Sequence, residues 1–329
     1  MKGLIDLSRR KIFKSLTLIV FGFISPRRLF ATVRKTVDEI IKENSLREGI
    51  TATLFDFKEN KILESHNKDL KLPLASVAKA VTAVYGIETI GEEHKFTTDL
   101  FTDGVVKNGI LEGNIYLIGG GDPSLSTDDL RNFVEAVKKL GIRGISGNFF
   151  YNSEIIPEFL AIDPSQLPQA SYNPGFSGLN LNNNKVLFSW TKDGRDYDLK
   201  IEARSLKSAI PLNNISIQGK NQLDRVFEYV LEPKNRVEKW SVSRKVLGKK
   251  GVRWLPVRLA SSYASSVLHH LFIESNIDIP LPIKSKKEEI SLELLFRHRS
   301  KDLPSLTKEM LYSSSNVTAE IIGLFAANF

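Results

Sequence analysis

Cysteine is absent from the 329 residues, which excludes a disulfide framework, a thiolate nucleophile and any Cys-ligated zinc or iron–sulfur centre. Histidine is scarce. His66, His94, His269, His270 and His298 show no metal-ligand spacing supported by nearby carboxylates, which argues against metal catalysis and leaves no cofactor to expect. An excess of charge is also missing once the first 31 residues are set aside. They hold seven bases against one acid, whereas the remaining 298 residues hold 39 against 37. The overall charge of +8 therefore leaves no electrostatic footprint for nucleic acid, and none is expected as a partner. What is present, 42% hydrophobic and 26% charged residues, suffices for a substantial core in one large or two to three smaller units.

The basic start has the pattern of an address. Ser8-Arg9-Arg10-Lys11-Ile12-Phe13-Lys14 precedes an uncharged run from Ser15 to Pro26, far shorter than the roughly 20 residues of a membrane span. The paired arginines look like a twin-arginine export signal, which predicts a leader over residues 1–31 and a periplasmic destination. Ala31 is the candidate cleavage residue.

Beyond the leader, helical spacing from Val33 to Asn44 gives way to alternation over Ile50–Phe57, a turn at Lys58–Lys61 and a return strand from Ile62, a β-hairpin. Leu74 to Ile87 is apolar around its whole circumference and ends near Gly91, so a core helix is expected. Short strands follow from Phe96, then a helix at Asp128–Leu140 and a strand near Gly144–Tyr151. Residues 163–184, rich in Pro, Asn, Gly and Ser, read as irregular, with strands resuming at Lys185–Trp190 and Tyr197–Arg204. Helical spacing returns at Arg258–Ser275, Ile290–Arg299 and Leu303–Phe325. Trp190, Trp240 and Trp254 read as packing residues.

Chemistry concentrates at two places. Lys79 is the only charge between Leu74 and Ile87, and Ser76 precedes it by three positions, so a helix projects both from one face. Burial disfavours an ammonium and lowers its pKa, which suits a general base, and a serine within its reach is an activated nucleophile. The S-x-x-K spacing also starts at Ser8, Ser65, Ser189 and Ser305, but only the copy at Ser76 opens an apolar helix. The second place is Ser314-Ser315-Asn316, at the mouth of another apolar helix. There Ser314 can pass a proton and Asn316 can offer an amide to a substrate carbonyl, while the plain alternative is a helix cap. Gly119-Gly120-Gly121-Asp122-Pro123 is not a phosphate loop, because no Lys-Ser/Thr follows and Pro123 removes a donor; it reads as a turn closing a strand.

An S-x-x-K serine with an S-x-N partner is found in penicillin-recognising enzymes. With Leu72–Lys79, Lys95–Thr98, Ile118–Leu125, Gly178–Asn182, His298–Leu303 and Met310–Glu320, the chain resembles the D-alanyl-D-alanine carboxypeptidase/endopeptidase family, the class C low-molecular-mass penicillin-binding proteins. The resemblance implies an α/β fold: a penicillin-recognising, transpeptidase-like domain from residues 32–90 and 255–329, interrupted by mainly β material at 91–254. It implies hydrolysis of peptidoglycan stem peptides by catalytic Ser76, Lys79 and Ser314, with Asn316 binding substrate and β-lactams acylating Ser76.

Two departures qualify the likeness. The middle residue of S-x-N, often Asp in relatives, is Ser315. More consequentially, the family's Lys-Thr-Gly strand, expected about a hundred residues after S-x-N, is not in the chain, which stops at Phe329; Lys192-Asp193-Gly194 precedes S-x-N and is no substitute. By resemblance that strand supplies a cationic grip and one of two oxyanion-hole N–H groups, Ser76 N–H being the other. The chain therefore reads as truncated, and an inactive remnant binding cell-wall peptide or a partner protein is the competing expectation. A β-lactamase is disfavoured by the long insertion after Ser76.

Overall fold

A computed structural model describes residues 35–44, 49–232, 234–285 and 292–327. The expected leader lies outside them. The chain divides into two compact units at Ala75/Ser76, each with its own internal logic.

In the first unit, Thr36 and Glu39 form a reciprocal capping box that starts the helix Val37–Glu43. The expected hairpin is present, Ala52–Asp56 pairing antiparallel with Lys61–His66. Glu64 accepts the Val37 N–H at 2.7 Å and ties the helix to it.

The second unit is mixed α/β. Its central five-stranded sheet runs, in spatial order, Pro282–Lys284, Phe149–Asn152, Ile115–Gly119, Thr97–Thr102 and Glu293–Arg299. The helix Thr127–Lys139, capped by Ser126 with Asp129, and the helix Ala260–Glu274 pack on each other and on this sheet. Leu100, Leu117, Phe133, Phe149 and Phe272, all fully buried, fill the space between. An antiparallel four-stranded sheet (Ala209–Pro211, Asp196–Arg204, Lys185–Asp193, Lys250–Pro256) and a three-stranded one (Ile215–Lys220, Val237–Ser243, Phe227–Glu232) extend the same core through Phe188 and Trp240. A small fourth sheet joins Val105–Lys107, Ile110–Glu112 and Gly144–Ile145. Trp240 and Trp190 pack as expected, while Trp254 stands 41% exposed.

Two expectations are corrected. The stretch read as helical at Ile290–Arg299 holds the strand Glu293–Arg299, because the edge of Thr97–Thr102 offers a ladder. Arg297 is fixed there by a bidentate pair with Asp99, at 2.8 and 2.7 Å. Local helix propensity loses to tertiary pairing. Second, the helix expected in the core spans Ala78–Ile90, and only Lys79, Ala83 and Gly86 on it are buried. Val77, Val81, Val84 and Tyr85 are exposed.

A second cluster, separate from the main core, joins Ala83, Phe96, Phe176, Leu306, Met310 and Ile322 and packs three helices together: Ala78–Ile90, Leu303–Ser313 and Asn316–Ala327. The long irregular segment beside it is held from the three-stranded sheet. Arg258 reaches into it, its guanidinium donating to the carbonyls of Leu160, Pro168 and Asn173. Glu238 anchors the Arg258 backbone in turn, accepting the N–H groups of Arg258 and Leu259 at 2.9–3.0 Å.

Burial raises the Glu238 carboxyl to about 7, against the opposing pull of those N–H donors and the Arg258 charge. A folded-state pKa above the unfolded value contributes stability fully present below about 4.5 and lost as pH rises through about 7. Glu238→Gln keeps an acceptor but cannot ionise. Thermal unfolding at pH 5 and pH 8 is expected to show a smaller fall in Tm for the variant than for the wild type, and an equal fall would refute the assignment.

Candidate active site

Ser76 lies in a one-turn 3-10 segment, Ala75–Val77, that runs directly into the helix Ala78–Ile90. Lys79 follows in the first turn of that helix and is 8% exposed. Its Nζ donates to Ser76 Oγ at 3.1 Å. The two side chains expected to act together from their spacing do meet.

Ser314 comes from the other end of the chain. The helical pattern read from Leu303 to Phe325 is two helices, Leu303–Ser313 and Asn316–Ala327, broken where Ser314 takes a left-handed conformation at φ 57°. Its N–H still bonds to Met310 O, a common way of closing a helix. Because the chain turns at this residue, the Ser314 hydroxyl is aimed at the Ser76 helix. Its Oγ donates to Ser76 Oγ at 2.8 Å and accepts from Lys79 Nζ at 3.4 Å. Three side chains, separated by up to 238 positions, thus close a triangle of hydrogen bonds.

Ser315 caps the second helix. Its hydroxyl accepts from Thr318 N at 3.3 Å and Thr318 Oγ1 at 2.9 Å, and donates to Asn183 Oδ1 at 3.2 Å. Capping therefore falls to Ser315 and leaves the Ser314 hydroxyl to face Ser76, a division that an N-capping Asp at the middle position would also allow. Asn316 Nδ2 donates to Tyr172 O at 2.8 Å, so it does not join the triangle but marks the far wall of the same cleft.

Burial loosens the hold of Lys79 on its proton. Burial lowers the Lys79 pKa below its ordinary value, opposed by the negative charge of Glu320 on the facing helix, whose own carboxyl is raised by burial. Glu320, Asn183, Lys185 and Tyr172 were not singled out by motif spacing as site residues. The one sequence signal for Asn183 and Lys185 is the run Asn182-Asn183-Asn184 just before a strand, three residues tolerant of a left-handed backbone.

A Ser-x-x-Lys helix start facing a Ser-x-Asn helix junction is the arrangement of penicillin-recognising serine enzymes. The chain belongs to the D-Ala-D-Ala carboxypeptidase 3 (S13) family, whose profile matches residues 33–328. It is 25% identical over 276 residues to the D-alanyl-D-alanine carboxypeptidase DacB of Haemophilus influenzae, an alignment covering 80% of this chain and 56% of that protein. Over 119 residues it is 27% identical to a D-alanyl-D-alanine carboxypeptidase of Actinomadura sp., covering 36% of this chain and 22% of the relative. The fold is that of penicillin binding protein 4 (dacB) from Haemophilus influenzae, with a TM-score of 0.64 at 22% identity over 83% of this chain and 61% of that one. A β-lactam complex of the same protein matches with a TM-score of 0.60. The chain thus spans between half and two thirds of the length of the DacB proteins it matches.

The distances in the triangle depend on how closely the two helices approach. A Cβ at Gly86 would lie 2.4 Å from Ile322 Cγ2. Gly86→Ala is expected to cost about 1–3 kcal/mol of stability through this overlap, despite the better helix propensity of Ala. Denaturant unfolding of Gly86→Ala, Ile322→Ala and the double variant checks it: the double should lose less than the sum of the singles, and strict additivity would show that the contact is not limiting.

Proposed function

We propose that the chain carries the acylation machinery of a serine-type D-Ala-D-Ala peptidase acting on peptidoglycan stem peptides. The observation that supports this reading most is the Ser76–Lys79–Ser314 triangle. With Lys79 neutral, the Ser76 hydroxyl donates to Nζ, and Oγ attacks the carbonyl of the penultimate D-alanine as its proton passes to Nζ. Ser314, bonded to both, relays a proton to the departing amine. The resulting ester on Ser76 is hydrolysed by water, through either carboxypeptidase or endopeptidase cleavage according to what the leaving amine carries. Asn316 exchanges its bond with Tyr172 O for one with the acyl donor's amide. β-Lactams enter the same way and form an ester on Ser76.

The competing reading, a non-catalytic member that only holds cell-wall peptide or a partner protein, predicts no covalent chemistry. We further propose export through the leader at residues 1–31 and action in the periplasm; no helix of the described residues is long and apolar enough to cross a membrane.

Intact mass after incubation with benzylpenicillin separates the two readings. A single adduct is expected on the chain and none on Ser76→Ala; a folded chain without an adduct would exclude the catalytic reading. The pH dependence gives a second check. Acylation should rise with pH as Lys79 deprotonates, over a range below the ordinary lysine value because burial lowers it. Glu320→Gln removes the charge that holds the ammonium, moving the rise to lower pH. Acylation at neutral pH should then increase, by about tenfold for each full pH unit the limb moves. An unmoved limb would mean that another group provides the base.

A further inference from the structure

The near-neutral balance of residues 32–329 conceals two parts of opposite sign. Residues 185–256, which form the four-stranded and three-stranded sheets, hold 16 bases against 8 acids, and the other residues of 32–329 hold 23 against 29. Within those sheets the excess is gathered at one end. Lys250 is the ladder partner of Thr191, so the strand Lys250–Pro256 starts where the hairpin of Lys185–Asp193 and Asp196–Arg204 turns. Ser243 and Lys220 are parallel partners and Phe227 faces Val242, which brings the connections 221–226 and 244–249 to the same end of their sheet. Three bonds tie the two sheets together there: Tyr197 Oη donates to Leu247 O at 2.9 Å, Lys192 N to Lys249 O at 2.7 Å, and Arg244 pairs with Asp196 at 2.9 Å.

Arg244 and Lys220 are matched by Asp196 and Glu228. This end still presents Lys192, Arg195, Arg225, Lys245, Lys249 and Lys250, all exposed. Among the described residues none of these six side chains has a hydrogen-bond or ion-pair partner, and the acids left among them are Asp193 and Asp224. Like charges gathered on three adjoining connections repel one another in the free protein and are complementary to a dense array of anions. Two apolar side chains stand in the same connections, Val226 at 42% and Val246 at 51% exposure. A lysine-rich rim around apolar tips suits a surface whose anionic groups overlie hydrocarbon; a polyanion in solution would give the valines nothing to bury against.

We propose that this end of the two sheets docks the protein on an anionic phospholipid surface, the cations meeting the phosphate headgroups and Val226 and Val246 entering between them. The opposite sign of the remaining residues turns the molecule so that this end leads. Lys185, at the other end of the strand Lys185–Asp193, lines the cleft beside Ser314. Seven residue steps, about 23 Å of extended strand, separate it from Lys192, so a strand standing upright on the surface holds the cleft about that far from the lipid. No bond is made or broken, and docking is independent of whether Ser76 reacts.

Co-sedimentation of the full chain with vesicles of phosphatidylglycerol and phosphatidylcholine, compared with vesicles of phosphatidylcholine alone, tests the proposal. Residues 1–31 carry cations of their own, so each variant is made in two backgrounds, the native one and one in which Arg9, Arg10, Lys11 and Lys14 are all changed to Gln. The chain should bind the anionic vesicles in both backgrounds, leave them as salt is raised, and ignore the neutral ones. Lys192→Gln, Lys245→Gln, Lys249→Gln and Lys250→Gln combined should weaken binding by about 100-fold or more, at roughly fivefold for each cation lost near the surface. The four corresponding changes to Arg should keep it, and Val226→Ser with Val246→Ser should weaken it without altering its salt dependence. Unchanged Tm values show that the variants are folded. Binding that survives the four glutamines, that is lost only when residues 1–31 are neutralised, or that is equal on neutral vesicles would overturn the proposal. Tighter binding to a soluble polyphosphate, indifferent to the two valines, would replace the lipid with a polyanion in solution.

Discussion

The site depends on how closely two helices can lie. Gly86 on Ala78–Ile90 faces Ile322 on Asn316–Ala327, and the absence of a Cβ there lets the backbones approach until residues from opposite ends of the chain come within hydrogen-bond distance. Burial supplies the attraction: Ala83, Ile321, Ile322 and Met310 are withdrawn from water in one cluster. The same approach buries Lys79 and shifts its proton equilibrium, so packing and basicity have one origin. The left-handed Ser314 completes the device, because it ends one helix, starts another and aims its hydroxyl between them.

A second layer of support lies behind the cleft. Buried Glu238 fixes Arg258, Arg258 gathers three carbonyls of a segment without regular structure, and that segment presents the Tyr172 carbonyl to Asn316. A loop of this length has few backbone partners of its own, and one guanidinium with several donors substitutes for a ladder. The asparagine turn does comparable work on the neighbouring wall, using side-chain amides to satisfy a backbone that cannot pair regularly.

Much of this was legible in the sequence because the signals were local. An isolated charge in an apolar helix identified Lys79, helical spacing tied it to Ser76, and the hairpin, the Asp128 helix and the irregular 163–184 segment followed from residue spacing, alternation and turn residues. Ser314 and Asn316 were found by motif and context, although nothing in the spacing showed that Ser314 would bond to both partners while Asn316 would bond to Tyr172. The misses were tertiary. Glu293–Arg299 has residues that suit a helix and becomes a strand because Asp99 and the Thr97–Thr102 edge are there to receive it. Lys185 was read as the start of a strand, since its place beside Ser314 and Asn316 is a property of neighbours in space.

The exposed stripe on the Ser76 helix has a further consequence, for how the molecule behaves among copies of itself. Val77, Val81, Val84 and Tyr85 present a ridge of apolar surface one residue from Ser76. Residues 32–329 are nearly charge-neutral, with 39 bases against 37 acids. Colloidal stability in water normally relies on mutual repulsion between like-charged particles, and here most of the excess charge resides in the first 31 residues. With little net repulsion to offset such a ridge, the solubility of these residues rests on charges of both signs spread over the surface rather than on a net charge.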